Sequence, residues 1–189
     1  MMYKAIDTNT QPTSTDGFSA TIPTAEGCTA GTWYVWYYAK GNDTHSDSEI
    51  SASAVEVTVK EVTLASAFED GATLSFNVVF GGENYNGYLN FKNESGSFTF
   101  TGKSGGFVDK GGTLTKNGDN LVLTVTPTND ANNGYYTVTI NTSTGAYSRD
   151  ISNMTSYYQN YSKGYYGVKS LTIYGVDVTN LITGLVWHN

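Results

Sequence analysis

Residues 42–49 read Asn-Asp-Thr-His-Ser-Asp-Ser-Glu and hold the densest set of potential metal ligands in the chain. Asp43, Asp47 and Glu49 could contribute to a Ca²⁺ site, because Ca²⁺ collects about six to eight oxygens from carboxylates, carbonyls and water. Their spacing is not that of an EF-hand loop. His45, between the two aspartates, adds a nitrogen donor of the kind transition metals take. The same residues equally suit a solvated loop whose Asp and Ser side chains cap backbone amides. Acids this close repel one another when no metal is bound, so a weak Ca²⁺ site is the most these residues would build, and no cofactor is expected. Residues 129–133, Asn-Asp-Ala-Asn-Asn, form a second loop of this type.

Aromatic residues make the second candidate surface. Tyr157, Tyr158, Tyr161, Tyr165 and Tyr166 crowd into residues 157–166, and Trp187 and Tyr147 lie further off in sequence. Exposed rings of this kind stack on the apolar faces of sugars, which would make a carbohydrate platform. Tyrosines also fill strand faces and rims while keeping the hydroxyl wet, and that reading needs no ligand. Catalytic patterns are weaker. Glu69, Asp70, Glu83 and Glu94 sit near strand ends, yet nothing singles out the pair that glycoside hydrolysis requires. No His-Glu-x-x-His pattern occurs. The expectation is a non-enzyme, with a glycan-active enzyme fragment as the remote alternative. The single cysteine, Cys28, cannot form an intramolecular disulfide; with only His45 and His188 as bases, it reads as a partly buried loop residue.

The elements that must carry these residues are legible from composition and period. The chain has 189 residues, of which 39% are hydrophobic, 14% aromatic and only 14% charged. Neutral polar side chains replace the missing charges: 27 Thr, 17 Ser and 17 Asn, with 21 Gly. So aromatic a chain has too much apolar surface to remain disordered. A net charge of −7 with a single Arg argues against nucleic acid as a partner. No apolar run reaches the length of a membrane span, so membrane insertion is not expected.

The hydrophobic period is two nearly throughout. Residues 32–38 are a dense β-branched and aromatic run, apolar on both faces and therefore expected at the centre of a sheet. Val55, Val57 and Val59 alternate with polar residues. So do Leu74, Phe76, Val78 and Phe80; Leu89 and Phe91; Phe98 and Phe100; Leu121, Leu123 and Val125; and Tyr136, Val138 and Ile140. Val168, Leu171, Ile173, Val176 and Val178 complete the pattern. These predict half-buried antiparallel strands, apolar inward and hydroxyl outward. Gly- and Asn-rich turns separate them, and Lys116-Asn117-Gly118-Asp119 is the clearest hairpin signal. A short helical turn fits only residues 150–161, where Ile151, Met154 and Tyr158 have helical spacing. The fold expected is all-β: an antiparallel β-sandwich, with an Ig-like segment over residues 1–61 followed by a second β-sandwich-type domain over residues 62–189.

The Ig-like assignment comes from a resemblance. Pro23-Thr24, then Ala30-Gly31-Thr32-Trp33-Tyr34-Val35-Trp36-Tyr37, then Lys40-Gly41-Asn42-Asp43-Thr44-His45-Ser46-Asp47-Ser48-Glu49, then Val55, Val57 and Val59 together resemble the ending of bacterial Ig-like modules from large cell-surface proteins of gut Firmicutes and their relatives. The likeness covers residues 3–59. It implies an Ig-like sandwich, extracellular or wall-attached placement, and a spacer or adhesive role, with a glycan or a host or cell-surface protein as partner. It carries no catalytic residue. Such modules begin with strands upstream of residue 1, so the resemblance implies a truncated module. Its open sheet edge would then pair with strands from residues 62–189 or from another chain. The resemblance does not extend to residues 63–189, which suggest no family of their own.

Overall fold

The computed structural model describes residues 1–79, 86–103, 111–126, 134–161 and 167–184. The chain divides into two compact units, Met1–Glu61 and Val62–Asn189. Among the described residues its regular structure is all-β with antiparallel pairing, apart from one six-residue helix and short 3₁₀ turns.

The first unit holds three strands: β1 (Met2–Ile6), β2 (Gly31–Tyr38) and β3 (Val55–Val59), in the order β1-β2-β3. The doubly apolar β2 is central, as its composition predicts. Strand β1 has a mixed pattern too short to stand out in the sequence, and is recruited by pairing Tyr3 with Tyr37 and Ala5 with Val35. Because opposed residues share a face, Tyr3, Ala5, Trp33, Val35, Tyr37, Val55, Val57 and Val59 form one apolar side. Met2, Lys4, Ile6, Tyr34, Trp36, Tyr38, Glu56 and Thr58 form the other. The loop between β1 and β2 lies over the second side: Phe18 packs edge-on against Tyr38 at 5.2 Å, and Lys4 Nζ, 5.8 Å from the Phe18 ring, donates to the Asp16 carbonyl.

Among the described residues no strand of the second unit joins this sheet. The free side of β1 is engaged by the unit's own loop, through Tyr3 N–H to Ser19 O (2.7 Å) and Ser19 N–H to Tyr3 O (2.9 Å). A local loop reaches that edge at lower entropic cost than a distant strand would.

The second unit is a two-sheet sandwich. Its strands are β4 (Thr73–Val79), β5 (Asn86–Glu94), β6 (Ser97–Lys103), β7 (Gly112–Asn117), β8 (Asn120–Val125), β9 (Tyr136–Asn141), β10 (Tyr147–Asp150), β11 (Gly167–Ile173) and β12 (Val176–Asp177), with helix α1 (Ser156–Tyr161) between β10 and β11. One sheet runs β10-β9-β8-β7 and the other β12-β11-β4-β5-β6. Leu121, Leu123 and Val125 face the core beside Ile140, Val138 and Tyr136. Leu74 and Phe76 do so beside Phe91 and Leu89 in the opposing sheet, and all pack into one cluster. Phe76 and Phe91 meet edge to face at 5.8 Å, as do Phe91 and Phe100. Val168 and Leu171 are three residues apart, yet both are buried, because a bulge between Val168 and Ser170 resets the alternation.

Tight turns set the registers. Asn117 pairs with Asn120 around Gly118-Asp119, where the sequence marks a hairpin. Glu94 pairs with Ser97 around Ser95-Gly96, and Ile173 with Val176 around Tyr174-Gly175. Tyr174 takes φ 52°, an unusual position for a large side chain, and its N–H is fixed by the Thr73 carbonyl at 2.9 Å. The buried polar Asn93 is satisfied where β5 ends: its Nδ2 reaches the Ala67 carbonyl and its Oδ1 accepts from Gly96 N–H at 3.0 Å.

Candidate functional site

The acidic loop after β2 is built by hydrogen bonds to itself. Asn42 and His45 exchange backbone bonds of 2.9 and 3.2 Å. Asn42 Oδ1 accepts from both the amide and the hydroxyl of Thr44, each at 3.0 Å, and His45 Nδ1 lies 2.8 Å from that hydroxyl. Asp47 Oδ1 accepts the Gly41 N–H at 2.7 Å, and Ser48 Oγ accepts from the Ala39 N–H at 2.9 Å. Gly41 has to be glycine, since a Cβ there would collide with the His45 carbonyl oxygen. The structure does not assemble Asp43, Asp47 and Glu49 into a ligand set: no group of three His, Cys, Asp or Glu side chains converges among the described residues. Asp47 acts as a backbone cap, which is how short acids in turns satisfy local amides. The comparable stretch at 129–133 lies outside the described residues.

The tyrosine cluster is placed in part. Tyr157 stands on α1 and is 67% exposed. Tyr158 and Tyr161 belong to the same helix, with their side chains outside the description, and Tyr165, Tyr166 and Trp187 lie outside the described residues. The helix is tied to the preceding turn by Gln159 Nε2, which donates to the Met154 carbonyl at 2.7 Å and the Ser152 carbonyl at 3.2 Å. Cys28 is a half-buried loop residue, with Sγ 3.7 Å from the Thr24 carbonyl oxygen.

A groove that sequence reading does not single out lies on the outer face of the five-stranded sheet. It encloses about 360 Å³ and is lined by Thr73, Ser75, Asn90, Lys92, Thr172 and Gly175, with Leu74 and Phe91. Register explains the assembly. Ser75 pairs with Asn90 on one side and Thr172 on the other, and Thr172 pairs with Asp177. Thr73 pairs with Lys92 in the adjacent row. Two hydroxyls and an amide thus stand in line across three interior strands, about 4.8 Å apart. Opposite Asn90 in β6 is Gly102, which adds no side chain to that row. The alternation of Thr73, Ser75 and Asn77 with buried Leu74 and Phe76 is visible in sequence; the partners of each are not, because they come from residues 11 to 99 positions away.

The charges around the groove are already engaged. Lys92 Nζ lies 2.7 Å from Glu94 Oε1, and this hydrogen bond, followed by the charges of Glu94 and Asp70, raises its pKa. Asp177 Oδ1 accepts from the Thr179 hydroxyl (2.6 Å) and amide (2.9 Å), and these bonds hold its carboxyl below the usual range. Asp70 Oδ1 accepts from the Ser95 N–H. Two of the acids flagged for catalysis, Asp70 and Glu94, are therefore engaged in a turn cap and an ion pair, and Glu83 is outside the described residues. Tyr174, in the turn just before the groove-lining Gly175, is 43% exposed; burial, then the carboxylates of Glu69 and Asp70, raise the pKa of its hydroxyl. One row away, Asn77 Oδ1 is buried without a hydrogen-bond partner among the described residues.

The chain matches no protein-family model, no curated protein and no solved structure. No helix among the described residues is long and apolar enough to cross a membrane.

Proposed function

We infer that the chain is a non-catalytic module of a bacterial cell-surface protein, working as a spacer or adhesive element outside the cell or attached to its wall. The observation that carries this reading is the construction of the second unit. Its two sheets put their apolar residues into one packed core and turn hydroxyl and amide side chains outward, with few charges. A surface of that kind stays soluble through neutral polar groups and a net charge of −7. The resemblance of residues 3–59 to bacterial Ig-like surface repeats points the same way. The partner is a glycan or a cell-surface protein, and neither nucleic acid nor membrane insertion belongs to the reading. In this reading the outer edge of β3, which carries no further strand among the described residues, pairs with a strand of another chain.

Antibodies raised against the purified chain test the location. They should label intact producing cells, and mild external protease should remove the signal. Labelling that needs cell lysis would remove the extracellular reading. The 67% exposure of Tyr157 favours a second reading, a carbohydrate-binding module that uses the tyrosines of residues 157–166 and Trp187. On a glycan array, Tyr157→Ala should then abolish the signal given by the unaltered protein.

A further inference from the structure

We propose that two copies of this chain pair through the outer edge of β3, antiparallel about a twofold axis at Val57. The proposal deepens the strand-pairing reading above by naming the second chain, and it rests on that reading only for the use of this edge.

Backbone hydrogen bonds fix what the edge offers. In an antiparallel strand the N–H and C=O of one residue point to the same side, and successive residues point to opposite sides. Tyr3 directs both groups to Ser19, away from β2. Its register partner Tyr37 correspondingly turns its own away from β1, and its carbonyl accepts the Ser51 N–H at 2.8 Å. Trp33 and Val35 share that direction, towards Val57 and Val55. Val55, Val57 and Val59 are therefore bonded to β2. The backbone groups of Glu56 and Thr58 point outward, where no further strand meets them among the described residues.

Elsewhere among the described residues the sheet edges are engaged, short, bulged or polar, which is how proteins keep edges from pairing. Ser19 engages β1, and Thr183 engages the edge of β10 through Gly145 and Tyr147. Strand β12 has two residues, and the β5–β6 register is broken by a bulge. Strand β7 buries Leu114 and exposes Thr113, Thr115 and Lys116. Strand β3 instead combines an unbroken register over five residues with exposed valines, Val55 at 54% and Val57 at 41%.

The sequence of the edge selects the partner. Val55-Glu56-Val57-Thr58-Val59 has the same alternation read in either direction. Turned about Val57, Val55 meets the copy's Val59 and Val57 meets the copy's Val57, so the valines stay on one face. Glu56 meets Thr58, and their outward N–H and C=O groups exchange both bonds at each such pair. Val57 then falls at a pair without backbone bonds, where Cα atoms approach to about 4.5 Å and the side chains touch. A slip of one residue would set valines against the polar face. A centre at Glu56 would oppose two acids, and a centre at Thr58 would oppose Val55 to Glu61. Five residues span about 17 Å. Such an edge buries well under the about 1,200 Å² of a stable interface, so the dimer is weak, with a dissociation constant of about 0.1–1 mM.

Sedimentation equilibrium of the full chain from about 10 µM to about 1 mM should show monomer passing into dimer. In amide NMR spectra over the same range, residues 56–58 should shift most. Thr58→Pro removes an outward N–H without touching a bond to β2, and Val57→Lys sets two like charges together at the axis. Each should leave a folded monomer at about 1 mM. In a Cys28→Ser background, Val57→Cys should form an intermolecular disulfide, and Val55→Cys, which lies opposite residue 59 of the copy, should not. A chain that stays monomeric to about 1 mM would overturn the proposal and leave pairing with a different chain as the reading of this edge. A dimer that survives in folded Thr58→Pro and Val57→Lys, or whose shifts centre elsewhere, would overturn the β3 edge. The shift map of the unaltered protein decides the matter even where a variant fails to fold. Antibody labelling of cells tests the location separately, since no outcome here depends on it.

Discussion

Trp36 shows how much one side chain can cost while still packing well. It is 3% exposed, yet its Nε1 has no hydrogen-bond partner among the described residues. A buried unpaired donor costs about 1–3 kcal/mol. Trp36→Phe loses ring volume but also removes that donor, so the two changes oppose each other. Denaturant unfolding should place Trp36→Phe within about 1 kcal/mol of the parent, against about 3–5 kcal/mol for Trp36→Ala. A Phe variant as damaged as the Ala variant would mean that Nε1 is bonded in solution. Asp177 works in the opposite sense, since it is stabilised when charged. Its hydrogen bonds from Thr179 lower the folded pKa below the ordinary 3.8. The stability it contributes is therefore complete above that value and is lost as pH falls through the lower folded value. Asp177→Asn should reduce the loss of stability between neutral pH and about pH 3, measured by chemical unfolding at each pH. An acid limb identical to the parent's would assign that loss to other carboxylates.

Strands in the two units respond to the same chemistry in different ways. Val57 in β3 is 41% exposed, whereas Val138 in β9 is fully buried between Leu123 and the facing sheet. Valine to threonine keeps the shape and adds a hydroxyl. At position 57 water meets that hydroxyl, and the cost should stay within about 0.5 kcal/mol. At position 138 the hydroxyl is buried without a designed partner, and the cost should be about 1–3 kcal/mol. Equal effects at the two sites would mean that the Val57 face is covered in solution. Period-two alternation reads identically for both strands, so the sequence leaves this difference open. The turns divide along the same line. Asn117-Gly118 announces its hairpin because Gly favours positive φ, but Tyr174-Gly175 carries a tyrosine at φ 52° that propensity alone does not suggest. The bulge after Val168 was likewise hidden, because an irregular spacing of Val168, Leu171 and Ile173 has no unique strand interpretation.

At the scale of the whole molecule, the two units differ in how much apolar surface they bury. The second has a continuous core drawn from both sheets, whereas Trp36 and Tyr38 are the buried hydrophobics of the first among the described residues. Residues 62–189 expressed alone should melt cooperatively, and residues 1–61 alone should not, as followed by circular dichroism and calorimetry. A cooperative monomeric melt of residues 1–61 would refute the second half of this prediction. Calcium should matter little to the intact chain. A site of about 10⁻⁴–10⁻³ M affinity adds only about 1–2 kcal/mol at millimolar Ca²⁺, so melts with Ca²⁺ and with chelator should differ by less than about 5 °C. A larger shift that vanished in Asp43→Asn or Asp47→Asn would make the loop a metal site.

Alternation and turn chemistry alone determined that this chain is all-β, that β2 is central, and that Leu74, Phe76, Leu121, Leu123, Val138 and Ile140 face inward. Those properties are local: a side chain's face follows from its position in a strand, and a turn follows from the two or three residues that make it. The acidic loop and the tyrosines were equally conspicuous, but conspicuous residues are not yet a site. Asp47 reads in the sequence as a ligand or a cap, and only the tertiary structure sets its Oδ1 on the Gly41 amide. Thr172, Ser75 and Asn90 carry no sequence signal at all. They become neighbours because β4 lies between β5 and β11, and strand order is set by how two whole sheets bury their apolar faces against each other, which no short segment encodes.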